Sequence, residues 1–277
     1  MTGAGGQLGR ALVARLGGQV VRALQHGDLD VTDASAVRGV VRAAAADVIF
    51  NAAAYNRVDA AEAEPAIALA VNATGALNLA RAAAEAGALL VHVSTDYVFD
   101  GAQSRPYVED DVPRPINVYG ISKRAGELMV EAVGASSLVV RTSGVFGPGG
   151  SRAKGGSFVD RILERARAGG PLRVVDDQVL APTYAPDLAD ALVALVDSGA
   201  RGFVHVTNEG TCTWHAMAAA VVDLAGVDVA IGRIRAADLA APARRPPYSV
   251  LSTARYRSLG RPALRTWRDA LAEMLDR

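Results

Sequence analysis

Gly3-Ala4-Gly5-Gly6-Gln7-Leu8-Gly9, followed at once by the helix-forming residues 10–16, decides the fold. Glycines let a backbone turn tightly and approach a ligand closely, and the amides of the next helical turn aim the positive end of a dipole at an anion such as a pyrophosphate. A glycine loop alone is a weak signal, so its surroundings carry the argument. Apolar runs alternate with helical stretches outward from it: a run at 20–24, a helix at 35–45, a run at 48–51, an alanine-rich helix at 65–86, a run at 89–94, a helix around Tyr119 and a run at 138–142. Strands separated by helices of such length read as right-handed crossovers in a parallel sheet covered on both faces. Beyond Thr142 the pattern loosens into Gly147-Pro148-Gly149-Gly150, a helix near 157–168, short runs at 172–175 and 182–184, an irregular proline-rich stretch at 242–247 and an amphipathic helix at 267–275.

The expected fold is therefore α/β, a Rossmann-type doubly wound parallel sheet with a smaller C-terminal substrate-binding lobe. Residues 1–142 would be mainly the NAD(P)-binding part and 143–277 mainly the lobe, with some of its segments returning to the sheet. One piece is missing. The glycine loop should follow a strand, yet only Met1 and Thr2 precede it. Either the first strand is absent, leaving its neighbours with unpaired edges, or the coding start lies upstream of Met1. We expect the second, with about six to ten apolar residues, a strand's length, encoded in frame before Met1.

Composition narrows the classes of function. Lys plus Arg and Asp plus Glu are 29 each, which gives no global field to attract nucleic acid or an anionic membrane. Cys212 is the only cysteine, so no intramolecular disulfide forms and a reducing cytoplasm is expected. No uninterrupted apolar run approaches a membrane span and no signal-peptide core opens the chain. His92, within an apolar run, reads as a packed core residue, and no His or Cys cluster argues for a metal.

Tyr119-Gly120-Ile121-Ser122-Lys123 carries the chemistry. Residues four apart share a helix face, so the Lys123 ammonium can approach the Tyr119 phenol and is expected to lower its pKa from about 10. A carbonyl reductase needs such a proton donor as hydride arrives at carbon. With seven tyrosines and two lysines in the chain, chance supplies about 0.05 Tyr-x3-Lys pairs, so the spacing is informative. Ser94-Thr95-Asp96-Tyr97 lies upstream at the end of a strand, and Ala52-Ala53-Ala54 ends another. In an open α/β sheet both ends face one ligand crevice. Where the second strand ends, Gln25 and His26 replace the acidic residue that would select NAD. With Arg22 nearby, NADPH is expected and NADH is the alternative.

These residues resemble the extended short-chain dehydrogenase/reductases, most closely the dTDP-4-dehydrorhamnose reductases. The matching stretches span nearly the whole chain: Gly6-Gln7-Leu8-Gly9, Asp47 through Tyr55, Val58-Asp59-Ala60-Ala61-Glu62, Ser94 through Gly101 and Val118-Tyr119-Gly120, then Arg141-Thr142-Ser143, Asp177-Gln178, Ala181-Pro182-Thr183, Thr213-Trp214 and Ala243-Arg244-Arg245-Pro246. The resemblance implies NAD(P)H-dependent reduction of C4 of a dTDP-4-keto-6-deoxyhexose. It implies Thr95, Tyr119 and Lys123 as the catalytic trio: Tyr119 gives the proton, Lys123 lowers its pKa and holds the nicotinamide ribose, and Thr95 bonds the substrate oxygen. Gly6, Gln7, Leu8, Asp30, Val31, Ala54, Tyr55, Asn56 and Val93 match cofactor-contacting positions, to which the glycine loop adds Gly3; Thr95, Asp96 and Gly144 fall beside the sugar. On the residues themselves, Asp30 and Asp33 read equally well as turn or cap residues.

Three departures from the family pattern stand out. Gly144 replaces a tryptophan, Leu180 replaces a glycine, and no acidic residue precedes Asp28, so a Mg2+-linked dimer of the type seen in part of the family is not expected. The expected partner is a small nucleotide sugar, acting on a cytoplasmic monomer or homodimer without nucleic acid or membrane. The competing readings are another nucleotide-sugar ketoreductase or epimerase, and a catalytically silent cofactor-binding regulatory subunit.

Overall fold

The structure is a computed structural model that describes residues 1–20, 22–150 and 156–276. Its centre is a parallel sheet in the order Val48–Asn51, Leu89–Thr95, Ser137–Thr142 and Gly202–His205. Alternate side chains of each strand go to opposite faces. Phe50, Val91 and Val140 pack with Leu8, Leu12, Leu188 and Leu192 on one side, and Ile49, Leu90 and Val139 pack with Val37, Leu79 and Val130 on the other. Two apolar faces explain why the strands read as continuous apolar runs. The helices Gln7–Leu16 and Ala185–Asp197 cover the first face; Ala34–Ala44, Gly75–Ala86 and Val118–Val133 cover the second.

Beyond Val48–Asn51 the sheet continues through single residues. Thr2 forms parallel bridges to both Asn51 and Leu24, with Thr2 N donating to Phe50 O at 2.9 Å and Leu24 N donating to Met1 O at 2.9 Å. The run at 20–24 is thus not the expected strand. Among its described residues only Leu24 forms a bridge, with Arg22 O also accepting from Met1 N at 2.8 Å, because a ladder needs a partner and Met1-Thr2 offers a very short one; Val21 lies outside the described residues.

The alanine-rich helix is Pro65–Leu69, a π-helical turn Ala70–Thr74 and Gly75–Ala86 in sequence. Residues Pro65–Ala86 are long and apolar enough to cross a membrane by length and composition, but the stretch is core-packing, with Ala76, Leu79, Ala80 and Ala83 at most 1 % exposed. The π turn presents Asn72, whose amide accepts from Tyr55 N at 2.9 Å and donates to Tyr55 O at 2.9 Å and Ser122 Oγ at 2.8 Å. A Cβ on Gly126 would lie 2.2 Å from Asn72 O. Only glycine permits that helix contact.

The second lobe packs the helices Phe158–Arg167, Trp214–Leu224 and Trp267–Asp276 on a parallel pair, Leu172–Val175 with Ile231–Ile234. Between its pieces the chain returns to the sheet through Ala185–Asp197 and Gly202–His205. Helix and strand together make one more crossover.

Candidate functional site

The Val118–Val133 helix starts where Asn117 accepts from Gly120 N at 2.7 Å, an N-cap of the usual chemistry, and Glu62 Oε1 accepts from Val118 N at 2.9 Å. Gly120 sits on Tyr97 so closely that a Cβ would lie 2.2 Å from Tyr97 O. That contact seats the Tyr119 ring 5.9 Å from the Tyr97 ring, edge to face. Thr95 stands close enough to the Tyr119 phenol to lower its pKa, and Lys123 Nζ donates to Val93 O at 2.6 Å. Thr95 Oγ1 also donates to Asp96 Oδ1 at 3.0 Å, and Asp96 Oδ2 accepts from Ser143 Oγ at 2.7 Å. The sequence-predicted trio is thus assembled at one point, where Leu89–Thr95 ends.

The electrostatics differ from the sequence expectation. Burial pushes the Tyr119 phenol up to about 12, against a lowering contribution from Thr95. The Lys123 ammonium is turned to the Val93 carbonyl, and its own pKa is brought down to about 8 by burial, against an opposing pull from Glu127. Desolvation sets the phenol, and the cation the sequence spacing invoked is not among the groups that shift it. A phenol so placed keeps its proton at neutral pH, as an acid must. Burial also raises the Asp96 carboxyl, opposed by bonds from Ser249, Ser143 and Thr95.

These groups face a cleft of about 810 Å³ between sheet and lobe. Gly6, Gln7 and Leu8 of the glycine loop line it together with Ala54, Asn56 and Val93 and with Thr95, Asp96, Tyr119, Lys123 and Gly144. Gly3, Asp30, Val31 and Tyr55 are not among the lining residues. Gly3 instead packs on the backbone of Ala52 and Ala53, within 2.5 Å of where its Cβ would stand. Asp30 accepts from Thr32 N at 2.9 Å in a turn, and Asp33 caps the Ala34–Ala44 helix through Ser35 N and Ala36 N. Val31 is buried under Gly75, and the Tyr55 phenol is held by Glu64. His92 is a core residue, its Nδ1 3.0 Å from Asn51 Nδ2, and Cys212 is buried, its thiol pushed up to about 12.

The glycine loop suits a dinucleotide. Gly6 caps the Gln7–Leu16 helix with no side chain on its first amides and no acidic residue in the first turn, which leaves donors and dipole open to a pyrophosphate. A Cβ on Gly9 would meet Gly3 O at 2.1 Å, so the loop closes tightly only as glycine.

Gly144 has φ +52°, and a Cβ there would lie 2.6 Å from Leu180 Cδ1. The two family departures are therefore in contact, and Leu180 occupies the room beside the glycine. Sequence reasoning also left Arg245, Glu127 and Arg141 without roles. Arg245 Nη2 donates to Asp59 Oδ2 at 2.7 Å, tying the proline-rich stretch to the sheet side of the cleft. A continuation of the 119, 123 spacing by four more residues would have pointed to Glu127.

The family model for the RmlD substrate binding domain matches residues 1–277. The chain is similar to dTDP-4-dehydrorhamnose reductase of Mycobacterium tuberculosis, at 46 % identity over 99 % of this chain and 91 % of that protein. It is 43 % identical to dTDP-4-dehydrorhamnose reductase of Streptomyces griseus, with the same shares covered. The crystal structure of the Bacillus anthracis dTDP-4-dehydrorhamnose reductase in complex with NADP superposes with a TM-score of 0.94 at 34 % identity, covering 99 % of this chain and 97 % of the other.

Proposed function

Because the chain belongs to the RmlD substrate binding domain family, we propose that it is an NADPH-dependent oxidoreductase reducing the 4-keto group of a dTDP-4-dehydro-6-deoxyhexose, with dTDP-4-dehydrorhamnose converted to dTDP-L-rhamnose. Its relatives at 43 % and 46 % identity carry that activity in their names, and a 34 % identical neighbour binds NADP. The observation that carries the reading at this site is the convergence of Thr95, Tyr119 and Lys123 on a cleft also lined by the glycine-loop helix, whose first amides carry no side-chain cap.

Gly6, Gln7 and Leu8 would hold the pyrophosphate, and Val93 with Lys123 would flank the nicotinamide end. NADPH supplies the hydride when bound. Tyr119 gives its proton to the C4 oxygen as charge develops there, and Thr95, beside the phenol, orients that oxygen. Lys123 then keeps a positive charge beside the phenolate left behind. In this reading 143–277 mainly forms the sugar lobe, and the enzyme works in the cytoplasm as a monomer or homodimer.

Oxidation of NADPH, followed at 340 nm with enzymatically generated dTDP-4-dehydrorhamnose and with product identification, tests this. Rhamnose product is expected. Folded, NADPH-binding protein without turnover would refute the reading and favour a silent regulatory subunit.

A further inference from the structure

Glu127 is fully buried, and its carboxylate accepts four hydrogen bonds from three elements of the fold. Ser94 Oγ donates at 2.6 Å, Arg141 Nε and Nη2 at 2.8 and 2.9 Å, and Arg124 Nη1 at 2.9 Å. Arg141 is only 2 % exposed, lies over the Phe99 and Phe203 rings, and has Nη1 3.4 Å from His205 Nε2. Two buried ions are a costly way to fill a core, and replacement by apolar residues is often neutral or better for stability. A role beyond packing is called for.

The position of Glu127 supplies one. Tyr119, Lys123 and Glu127 are spaced by four and share one face of the Val118–Val133 helix. They meet three successive residues of Leu89–Thr95: Tyr119 meets Thr95, Lys123 meets the Val93 carbonyl, and Glu127 meets Ser94. The third contact is the only one of these made by a charged pair anchored in the next strand, through Arg141. We propose that Glu127, through Ser94 and Arg141, is a positioning residue for the reduction, fixing the rotation and depth of the helix so that Tyr119 and Lys123 stand at the reacting atoms.

The proposal rests on the reductase reading for its kinetic half, and two readouts separate the failure of one from the failure of the other. The chain has two lysines, Lys123 and Lys154, so lysine labelled with 13C at Cε gives two signals, assigned with Lys154→Arg. The charged and titratable groups around Lys123 are Glu127 on its own helix, Tyr119 one turn before, and His92 on the strand beneath; Arg124 and Arg141 reach it through Glu127. Glu127→Gln removes the one charge that raises the Lys123 pKa. Its titration midpoint is then expected to fall by about one pH unit, the low end for a close opposite charge.

Ser94→Ala leaves both arginine pairs in place and keeps the test available should Glu127→Gln fail to fold. It is expected to lower kcat about tenfold, since a misplacement well below 1 Å costs part of the ~10²-fold of a full ångström. The KM values for NADPH and sugar should stay within twofold. In a Tyr119→Phe background the same substitution should change kcat little, because the group it positions is gone. Wild-type turnover matched by Ser94→Ala, with kcat undiminished, would overturn the proposal. So would a Lys123 midpoint unmoved in folded Glu127→Gln, a result readable even if the natural sugar is a different one.

Discussion

Replacing Lys123 by methionine should make the protein more stable and inactive. Burial brings the Lys123 ammonium from its ordinary 10.5 down to about 8, and a lowering of that size corresponds to roughly 3 kcal/mol of unfavourable charge burial at ~1.36 kcal/mol per pH unit. Against this stands the bond from Nζ to Val93 O at 2.6 Å, whose loss costs about 1.5–3 kcal/mol for a charged donor. The methionine variant is thus expected to gain about 1 kcal/mol at pH 7, measured by urea unfolding at 25 °C. The gain must depend on pH in one direction. The lysine's folded pKa lies below its unfolded value, so between about 8 and 10.5 the unfolded chain binds more protons than the folded one, and wild-type stability rises with pH relative to Lys123→Met. Below pH 8 the full penalty applies; by pH 10.5 it is gone and wild type should be the more stable. A methionine variant less stable at pH 7, or a difference that stays constant from pH 7 to 10, would refute the burial argument.

Tyr119→Phe removes the proton donor without disturbing the glycine loop, so turnover should fall by about 10²–10⁴ while NADPH affinity, followed by fluorescence titration, stays within twofold. Gly120→Ala drives a Cβ to 2.2 Å from Tyr97 O; a loss of about 1–3 kcal/mol in stability and a lower kcat are expected, read by melting and by steady-state rates. Gly144→Ala combines a left-handed φ of +52° with a 2.6 Å approach to Leu180 Cδ1. In a Leu180→Ala background the steric part vanishes and only the backbone strain, about 1–2 kcal/mol, remains. A double-mutant cycle with coupling near zero would show that the two residues do not share that space.

The sequence was most legible where structure is local. The glycine loop, the run at 48–51 and the Tyr119 helix depend on spacing within a few residues, and they stand as Gly3–Gly9, Val48–Asn51 and Val118–Val133. Non-local facts were hidden. The run at 20–24 has strand composition, yet pairing depends on what lies beside it, and Thr2 gives it one bridge. The return of Ala185–Asp197 and Gly202–His205 to the sheet was foreseen only as unspecified segments, since nothing in their apolar pattern names Ser137–Thr142 as partner. Spacing placed Lys123 on the Tyr119 face of the helix, but that burial dominates at the phenol depends on the three-dimensional surroundings. Gly144 and Leu180 each looked like an isolated oddity, and their contact across 36 positions of chain is a property of the fold alone.

The π turn has a mechanical consequence. Through Asn72 a single amide grips both backbone groups of Tyr55, between the cleft-lining Ala54 and Asn56, and the hydroxyl of Ser122, next to Lys123. The Gly126 contact clamps the same turn to the helix below. Asn72 therefore ties the Ala54–Asn56 stretch to the helix that carries the acid. The spacing between the Ala54–Asn56 stretch and the proton donor is thereby set by one buried amide rather than by the width of the cleft.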